Sequence, residues 1–154
     1  VYEWGAPGNI PKPGDYDGDG GTDIPVYRPS TGQWIVLFQK SFQYVVYQCG
    51  IPNDVPEPGD YDADGKNDFA VYRPSVGLWI VLLSTTNYSS YITRQWGLST
   101  DIPVPADYDG DGRTDMAFYR PSTGSWYLLS SFNPPSSTVH QWGINGDVPV
   151  TQAP

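Results

Sequence analysis

This sequence is short of cysteine, of positive charge and of long apolar runs, and each shortage argues against a class of protein. Its single cysteine, Cys49, has no partner for a disulfide within the chain. Only eight Lys and Arg residues accompany 17 Asp and Glu, with no basic stripe, so we expect no nucleic-acid partner. No apolar run approaches the roughly 18 residues of a membrane-spanning helix, so we expect no membrane span. The chain begins at Val1 without Met or a signal-peptide pattern, which predicts a processed chain or part of a longer one.

Glycine, proline and tyrosine are abundant, with 17, 16 and 12 copies in 154 residues. Gly and Pro destabilise helices and favour tight turns, so the composition favours short strands joined by many turns. Aromatic residues make up 15% of the chain, which is enough for a packed core. The length is that of one ordinary domain, and we assign residues 1–154 to a single repeat domain.

Most of the acidic residues lie in three short loops, so the net charge of −9 has a local origin. Each loop reads Asp-x-Asp-x-Asp-Gly-x-x-Asp, and the loops begin 45 and 47 residues apart. Their Asp residues are Asp15, Asp17, Asp19 and Asp23; Asp60, Asp62, Asp64 and Asp68; and Asp107, Asp109, Asp111 and Asp115.

Two further motifs keep step with the Asp loops. The pattern Tyr-Arg-Pro-Ser-x-Gly-x-Trp occurs at residues 27–34, 72–79 and 119–126. A Trp-Gly pair occurs at residues 4–5, 96–97 and 142–143, and Cys49-Gly50 stands at the remaining equivalent position. Three motifs in register indicate tandem repeats, at approximately 6–50, 51–97 and 98–143, with a half-repeat duplicated at 1–14 and 139–152.

Each period reads as four short strands. In the third repeat we predict them at residues 101–108, 115–120, 125–130 and 138–142, with a Pro-Ser-Thr-Gly turn between the second and the third. Four consecutive antiparallel strands per repeat are typical of a β-propeller blade or a similar stacked sheet. The predicted fold class is therefore all-β, with three tandem four-stranded antiparallel blades in an incomplete ring or an open array.

The Asp loops have the composition of a calcium site. Ca²⁺ takes six to eight oxygen ligands, mostly carboxylates and carbonyls. The Asp residues at loop positions one, three and five direct three carboxylates at one centre, and position nine adds a fourth. Position seven offers a backbone carbonyl, from Gly21, Lys66 and Arg113. We therefore predict three Ca²⁺ ions, one per repeat.

Three alternatives to a calcium loop of this kind fit the sequence less well. An EF-hand would place a Glu at position twelve within a helix, but here that position carries Val26, Val71 and Phe118 in predicted strands, which excludes it. Metal-free Asx turns would bring four carboxylates together without a counter-ion, and these would repel one another. Mg²⁺ resists shedding its water for a site built only from protein ligands.

The loop, the Tyr-Arg-Pro-Ser-x-Gly-x-Trp segment and the Trp-Gly pair together resemble FG-GAP repeats of integrin α-subunit propellers, and still more the bacterial VCBS-type repeats. The resemblance covers nearly the whole chain and implies a β-propeller fold with structural calcium bound by the matching Asp residues. The sequence departs from the family in two ways. Ala63 replaces the Gly at position four of the second loop, which is harmless if the backbone there has a negative φ. Three blades are also fewer than the four to eight of a closed propeller.

Several other residues recur in register. Arg28, Arg73 and Arg120 are predicted to form structural ion pairs rather than bind a carboxylate ligand, and Asp54, Asp101 and Asp147, with Asn9 at the matching place, are candidate partners across blades. Trp34, Trp79 and Trp126 are expected in the core, the alternative being a sugar site. Cys49 is expected to be buried, and His140 to be an ordinary surface or edge residue.

No special constellation breaks the repeat symmetry, so we predict that the chain is not an enzyme. We expect a calcium-stabilised extracellular module, secreted or at the cell surface, with a structural, self-assembling or adhesive role; the alternative is a carbohydrate-binding propeller lectin. The sequon at Asn87 is a possible glycosylation site, and the Ser- and Pro-rich segment 130–138 would also suit glycosylation.

Because the half-repeat occurs at both ends, we expect one copy to complete the sheet of the next by head-to-tail strand addition. Two chains would then form a six-bladed ring, or many chains a filament. The competing explanation is a longer chain in which further repeats cover these ends.

Overall fold

A computed structural model describes residues 4–130 and 136–150 of the chain, and these residues form three four-stranded antiparallel sheets. This confirms the predicted all-β fold of three tandem blades in an open array. Blade 1 contains β1 (Ile10–Pro11), β2 (Ile24–Arg28), β3 (Gln33–Leu37) and β4 (Tyr44–Gln48). Blade 2 contains β5 (Val55–Pro56), β6 (Phe69–Arg73), β7 (Leu78–Leu82) and β8 (Tyr91–Gln95). Blade 3 contains β9 (Ile102–Pro103), β10 (Met116–Arg120), β11 (Ser125–Leu129) and β12 (Ser137–Gln141).

The second, third and fourth strands of blade 3 end within about one residue of the predicted bounds, but the first strand is much shorter. Only Ile102–Pro103 of the predicted 101–108 strand is regular. Proline has no N–H to donate, and Pro103 and Pro105 interrupt the ladder on this edge. The pairing resumes as single contacts, where the Val104 N–H donates to the Ala117 carbonyl at 2.9 Å and Ala106 bridges to Asp115.

In each blade the glycine of the Tyr-Arg-Pro-Ser-x-Gly-x-Trp motif contacts the glycine of the Trp-Gly motif, or of Cys49-Gly50 in blade 1. This contact explains why the two motifs recur in register. Gly32 has a φ of +70°, and a Cβ there would lie 2.2 Å from the carbonyl carbon of Gly50. Gly77 and Gly124 make the same approach to Gly97 and Gly143. A side chain at the turn would therefore clash with the end of the fourth strand as well as strain the backbone.

The core lies between adjacent blades. Trp34 of blade 1 is fully buried, packs against Phe69 of blade 2 at 5.3 Å between ring centroids, and donates its Nε1–H to the Cys49 carbonyl at 3.1 Å. Trp79 is equally buried, while Trp126 of blade 3 is only half-buried. Cys49 is buried as expected, and its Sγ–H donates to the Phe69 carbonyl at 3.3 Å. The expectation of a core role thus holds for two of the three tryptophans.

Two of the recurring arginines form the predicted structural ion pairs. Arg73 donates from Nε and a terminal nitrogen to the two oxygens of Asp54, at 2.9 and 2.8 Å. Arg120 binds Asp101 in the same way, with both distances 2.8 Å. The expectation that these pairs link neighbouring blades was wrong: each Asp immediately precedes the first strand of the blade that carries its Arg in the second strand. The fork therefore ties the two strands of one sheet together.

Replacing Arg73 with Gln should lower the free energy of unfolding by about 3 kcal/mol, because the Asp54 carboxylate is only 4% exposed and would lose its counter-ion. Urea unfolding would measure the change. The matched control is Arg28→Gln, since blade 1 carries Asn9 at the position of Asp54. We expect that control to cost less than about 1 kcal/mol, and equal losses in the two variants would contradict the assignment.

Candidate metal centre

Each Asp loop connects the first and second strands of its blade and is closed at its base by a backbone bridge. Gly14 pairs with Asp23, Gly59 with Asp68, and Ala106 with Asp115. The N–H of the position-nine Asp donates to the opposite carbonyl at 2.7, 2.7 and 2.8 Å. The sheet therefore fixes both ends of a nine-residue loop.

The Asp at position one organises the loop from within. Both oxygens of Asp15 accept backbone hydrogen bonds, from Gly18 at 2.7 Å and from Gly20 at 2.8 Å. Asp60 and Asp107 accept the equivalent bonds in their own loops. Each carboxylate oxygen has two lone pairs, so these bonds leave acceptor capacity for a cation.

Three carboxylates converge in each blade. One oxygen from each member of a group lies within 4.8 Å of the others, and the groups are Asp15, Asp17 and Asp19; Asp60, Asp62 and Asp68; and Asp107, Asp109 and Asp115. Two oxygens bound to one calcium at 2.3–2.6 Å are at most about 5 Å apart, so each group fits around a single ion. The structure therefore contains three groups able to hold a metal, one per blade.

The predicted ligand sets are wider than these groups. All three groups contain positions one and three, but the third member is position five in blade 1 and position nine in blades 2 and 3. Asp23, Asp64 and Asp111 stand outside the converging sets. The position-seven carbonyls of Gly21, Lys66 and Arg113 stay a prediction; the N–H groups of these residues donate to the position-five Asp at 2.7–2.9 Å.

The position-nine Asp is a structural clamp as well as a candidate ligand. Asp68 is fully buried, and its two oxygens accept the N–H groups of Tyr61 at 2.8 Å and Ser84 at 2.7 Å. Asp23 accepts the corresponding bonds from Tyr16 at 2.9 Å and Gln39 at 3.2 Å. The clamp joins the Asp loop to the connection that follows the third strand.

Burial of this clamp affects its ionisation. The pKa of Asp68 is raised to about 6: desolvation is the largest cause, the nearby Asp62 carboxylate acts in the same direction, and the hydrogen bonds from Ser84 and Tyr61 oppose both. Desolvation also raises the pKa of Asp23. A cation at the loop would favour the ionised forms of both groups.

The connection after the third strand makes the three loops unequal, which sequence reasoning missed. In blade 2 the Thr85 hydroxyl donates to Asp62 at 2.6 Å, and in blade 3 the Ser130 hydroxyl donates to Asp109 at 3.0 Å. In blade 1, Lys40 instead forms an ion pair with Asp19 at 3.1 Å and donates to the Asp19 carbonyl at 2.7 Å. The pKa of Asp19 is lowered chiefly by the hydrogen bond from the Gly21 N–H and, to a smaller extent, by Lys40. The sequence contains a signal for this difference, because Lys40 occupies the position in the first repeat that Thr85 occupies in the second.

Adjacent loops are hydrogen-bonded directly to each other. The Asp15 carbonyl accepts the N–H of Asn67 at 2.7 Å, and the Asp60 carbonyl accepts the N–H of Thr114 at 2.7 Å. In both cases position one of one loop accepts from position eight of the next. The Tyr88 hydroxyl strengthens the first junction by bonding to the Tyr16 carbonyl, at 2.8 Å. The three loops thus form one continuous chain of contacts across the blades.

Comparisons of the chain with protein families, with curated proteins and with solved structures found no match. Within residues 4–130 and 136–150, no helix has the length and apolar character needed to cross a membrane.

The remaining candidate residues fall outside this centre. His140 is exposed on β12, as expected, and Asn87 is exposed beside a short 3₁₀ turn at Ser84–Thr86. Cys49 lies in the core, where desolvation raises the pKa of its thiol to about 12. Most of the variable loop at 131–137 and parts of both duplicated half-repeats lie outside the described residues.

Ala63 would be harmless with a negative φ, but its φ in the structure is positive. The value is +61°, in the left-handed region where a Cβ is disfavoured. Gly18 and Gly110, at the same position in the other loops, also have a positive φ. The second loop therefore retains local backbone strain that its neighbours avoid.

Ala63→Gly should raise the free energy of unfolding by about 0.5–1 kcal/mol, because glycine adopts this conformation without the steric penalty. The reciprocal control is Gly110→Ala, which should lower it by a similar amount; an added Cβ there meets nothing within 4 Å, so only backbone strain is tested. Urea unfolding in excess calcium would measure both. A destabilised Ala63→Gly variant would contradict the strain argument.

Proposed function

We propose that the chain is a calcium-stabilised structural repeat module that acts outside the cytoplasm. The direct hydrogen bonds between successive Asp loops carry this proposal. An ion that fixes the shape of one loop also fixes the carbonyl at position one, and that carbonyl holds the next blade through Asn67 or Thr114. Metal binding would therefore stabilise the register between blades, rather than only the loop that holds the ion.

The donor set suits calcium. All grouped side chains are carboxylates, and Ca²⁺ prefers flexible shells of hard oxygen ligands. The converging Asp groups would hold the ion, with further oxygens from the other loop Asp residues and from the carbonyls of Gly21, Lys66 and Arg113. The bound ion would supply positive charge where acidic side chains crowd together. The motifs support the further proposal that the chain is an FG-GAP/VCBS-type repeat.

The extracellular assignment follows from calcium availability. Calcium sites of extracellular modules have dissociation constants of about 10⁻⁴–10⁻³ M, which suits compartments rich in calcium. The exposed Asn87 sequon is compatible with the same location. We propose a non-enzymatic role, because the buried Cys49 thiol is held protonated and the described residues offer no nucleophile paired with His140.

One observation favours carbohydrate binding as a second candidate. On blade 3 the side chains of Tyr108, Trp126, Leu128, His140 and Trp142 line an open pocket at the surface. Exposed aromatic rings can stack on sugar rings, whereas the equivalent Trp34 and Trp79 are buried and offer a sugar no exposed ring. Glycan-array binding that is lost in a Trp142→Ser variant would establish this alternative.

Chelation should lower the melting temperature by several degrees or more, because metal binding is coupled to folding. The measurement is a thermal unfolding curve in excess calcium, repeated with a chelator and then with calcium restored. Addition of Mg²⁺ alone should recover little of the loss. An unchanged curve in excess chelator would rule out structural calcium.

Replacing Asp109 with Asn should reduce the number of calcium ions bound from three to two, because this change removes a converging carboxylate of blade 3 while keeping the side chain's shape. Isothermal titration calorimetry would count the ions. Asp147→Asn is the control, since it removes the same charge outside the loops and should leave three ions. Three ions in the Asp109 variant would refute its assignment as a ligand.

A further inference from the structure

Blade 3 exposes the face that blades 1 and 2 bury. In blade 1 this face includes Tyr16, Trp34 and Cys49, and it is covered by Phe69 of blade 2. The equivalent residues of blade 3 are Tyr108, Trp126 and Trp142, which line the open pocket at the surface of that blade. Trp142 is 81% exposed, although Cys49 at the same repeat position is only 5% exposed.

Blade 1 exposes the opposite face. Ile24 occupies the repeat position of Phe69 and Met116, which are 0% and 6% exposed because the preceding blade covers them. Ile24 itself is 41% exposed and lines a surface pocket with Leu37 and Phe42. The two exposed faces are thus the two halves of the contact that joins blade 1 to blade 2 and blade 2 to blade 3.

The charges at the two faces are complementary. Asp147 has the same local geometry as Asp54 and Asp101. Each of these carboxylates accepts the N–H of the residue three positions earlier, which for Asp147 is Ile144 at 2.9 Å. At the matching place in blade 1, Asn9 stands beside the strand that carries Arg28, and its Nδ2 is buried without a partner. Among the described residues, neither Arg28 nor Asp147 has an ion-pair partner.

The chain of contacts between loops is open in the same two directions. Within the described part of the chain, the Asp107 carbonyl has no backbone donor corresponding to Asn67 or Thr114. The N–H of Thr22, at position eight of the first loop, likewise has no backbone acceptor there. A second copy placed after blade 3 would bring this donor to that acceptor.

We propose that the blade 3 face of one copy binds the blade 1 face of a second copy, with residues 142–150 of the first copy taking the place of residues 4–12 in the second. The two segments share their pattern at Trp4 and Trp142, Gly5 and Gly143, and Pro11 and Pro149. Asp147 then pairs with Arg28 across the interface. Val150, which is 91% exposed, takes a position whose blade 3 equivalent, Val104, is 0% exposed.

A second copy is the partner that fits because it supplies all the missing elements together: apolar cover for Trp142, a guanidinium for Asp147 and an N–H for Asp107. Replacing Asn9 by Asp147 also gives Arg28 the bidentate carboxylate found in the other blades. This inference rests on the proposed structural role, since the interface continues the loop-to-loop contacts that calcium is proposed to stabilise.

The test is sedimentation velocity of the 154-residue chain in excess calcium over a wide range of concentrations. The wild type should associate as its concentration rises. Arg28→Asp and Asp147→Arg should each raise the dissociation constant at least about tenfold, because each places like charges opposite one another. An equimolar mixture of the two variants should associate as the wild type does, because opposite charges then meet at both junctions.

Two further variants separate this interface from a folding defect. Asn9→Asp gives Arg28 a carboxylate within its own chain and should therefore weaken association. Trp142→Ser removes a side chain of the proposed interface that contributes little to the stability of the folded monomer. Thermal unfolding of each variant would confirm that it is folded. Continued weakness of the mixed Arg28→Asp and Asp147→Arg variants would overturn the pairing.

A folded wild-type monomer at every concentration would overturn the interface and leave a further repeat of a longer chain as the occupant of the face. If that monomer still lost stability on chelation, the calcium proposal would stand alone. Association that survived chelation with no change in melting temperature would instead contradict the calcium proposal and leave the interface intact.

Discussion

Mutual repulsion of four carboxylates within nine residues is the constraint around which each blade is arranged. Hydrogen bonds offset this repulsion. Backbone N–H groups donate to the position-one Asp, and the buried clamp holds the position-nine Asp. The bonds to the position-one Asp use the loop's own amides, which is why glycine and left-handed backbone recur in the loop. They orient the acidic oxygens toward one centre, where a divalent cation would complete the neutralisation.

The loops are also where the blades meet, so local electrostatics and global register are coupled. Asp15 and Asp60 each use the carboxylate to shape their own loop and the carbonyl to hold the next loop. The aromatic core lies between the same blades, with Tyr16 stacked on Phe69 and Trp34 packed against the same ring at a tilt. Apolar burial and the hydrogen bonds between the Asp loops therefore act at the same junction between blades 1 and 2.

The three blades are not equivalent despite their shared motifs. Lys40 brings an internal cation to the first loop, where the other loops receive hydroxyl groups. Such a cation partly neutralises Asp19 and would compete for it with a metal ion bound at this loop. Exposed apolar surface is concentrated on blades 1 and 3 for a different reason, since a repeat buries its faces only against neighbours.

Local patterns in the sequence are sufficient to predict the repeat, the four strands of each blade and the position of the Asp loops, because period, turn chemistry and carboxylate spacing are local properties. The sequence also predicted the burial of Cys49 and the existence of the Arg–Asp pairs. It did not predict that Asp54 and Arg73 belong to one sheet, because the partner of a charged group depends on strand pairing.

The folded chain alone shows which three carboxylates of each loop converge, that the position-nine Asp is a buried clamp, and that Ala63 has a positive φ. The first two features involve contacts with the connection after the third strand, which lies outside the loop, whereas the third accompanies the hydrogen bonds within the loop itself. The contrast between the buried Trp34 and the half-buried Trp126 has the same origin: equal motifs acquire different environments when one blade has a neighbour and another does not.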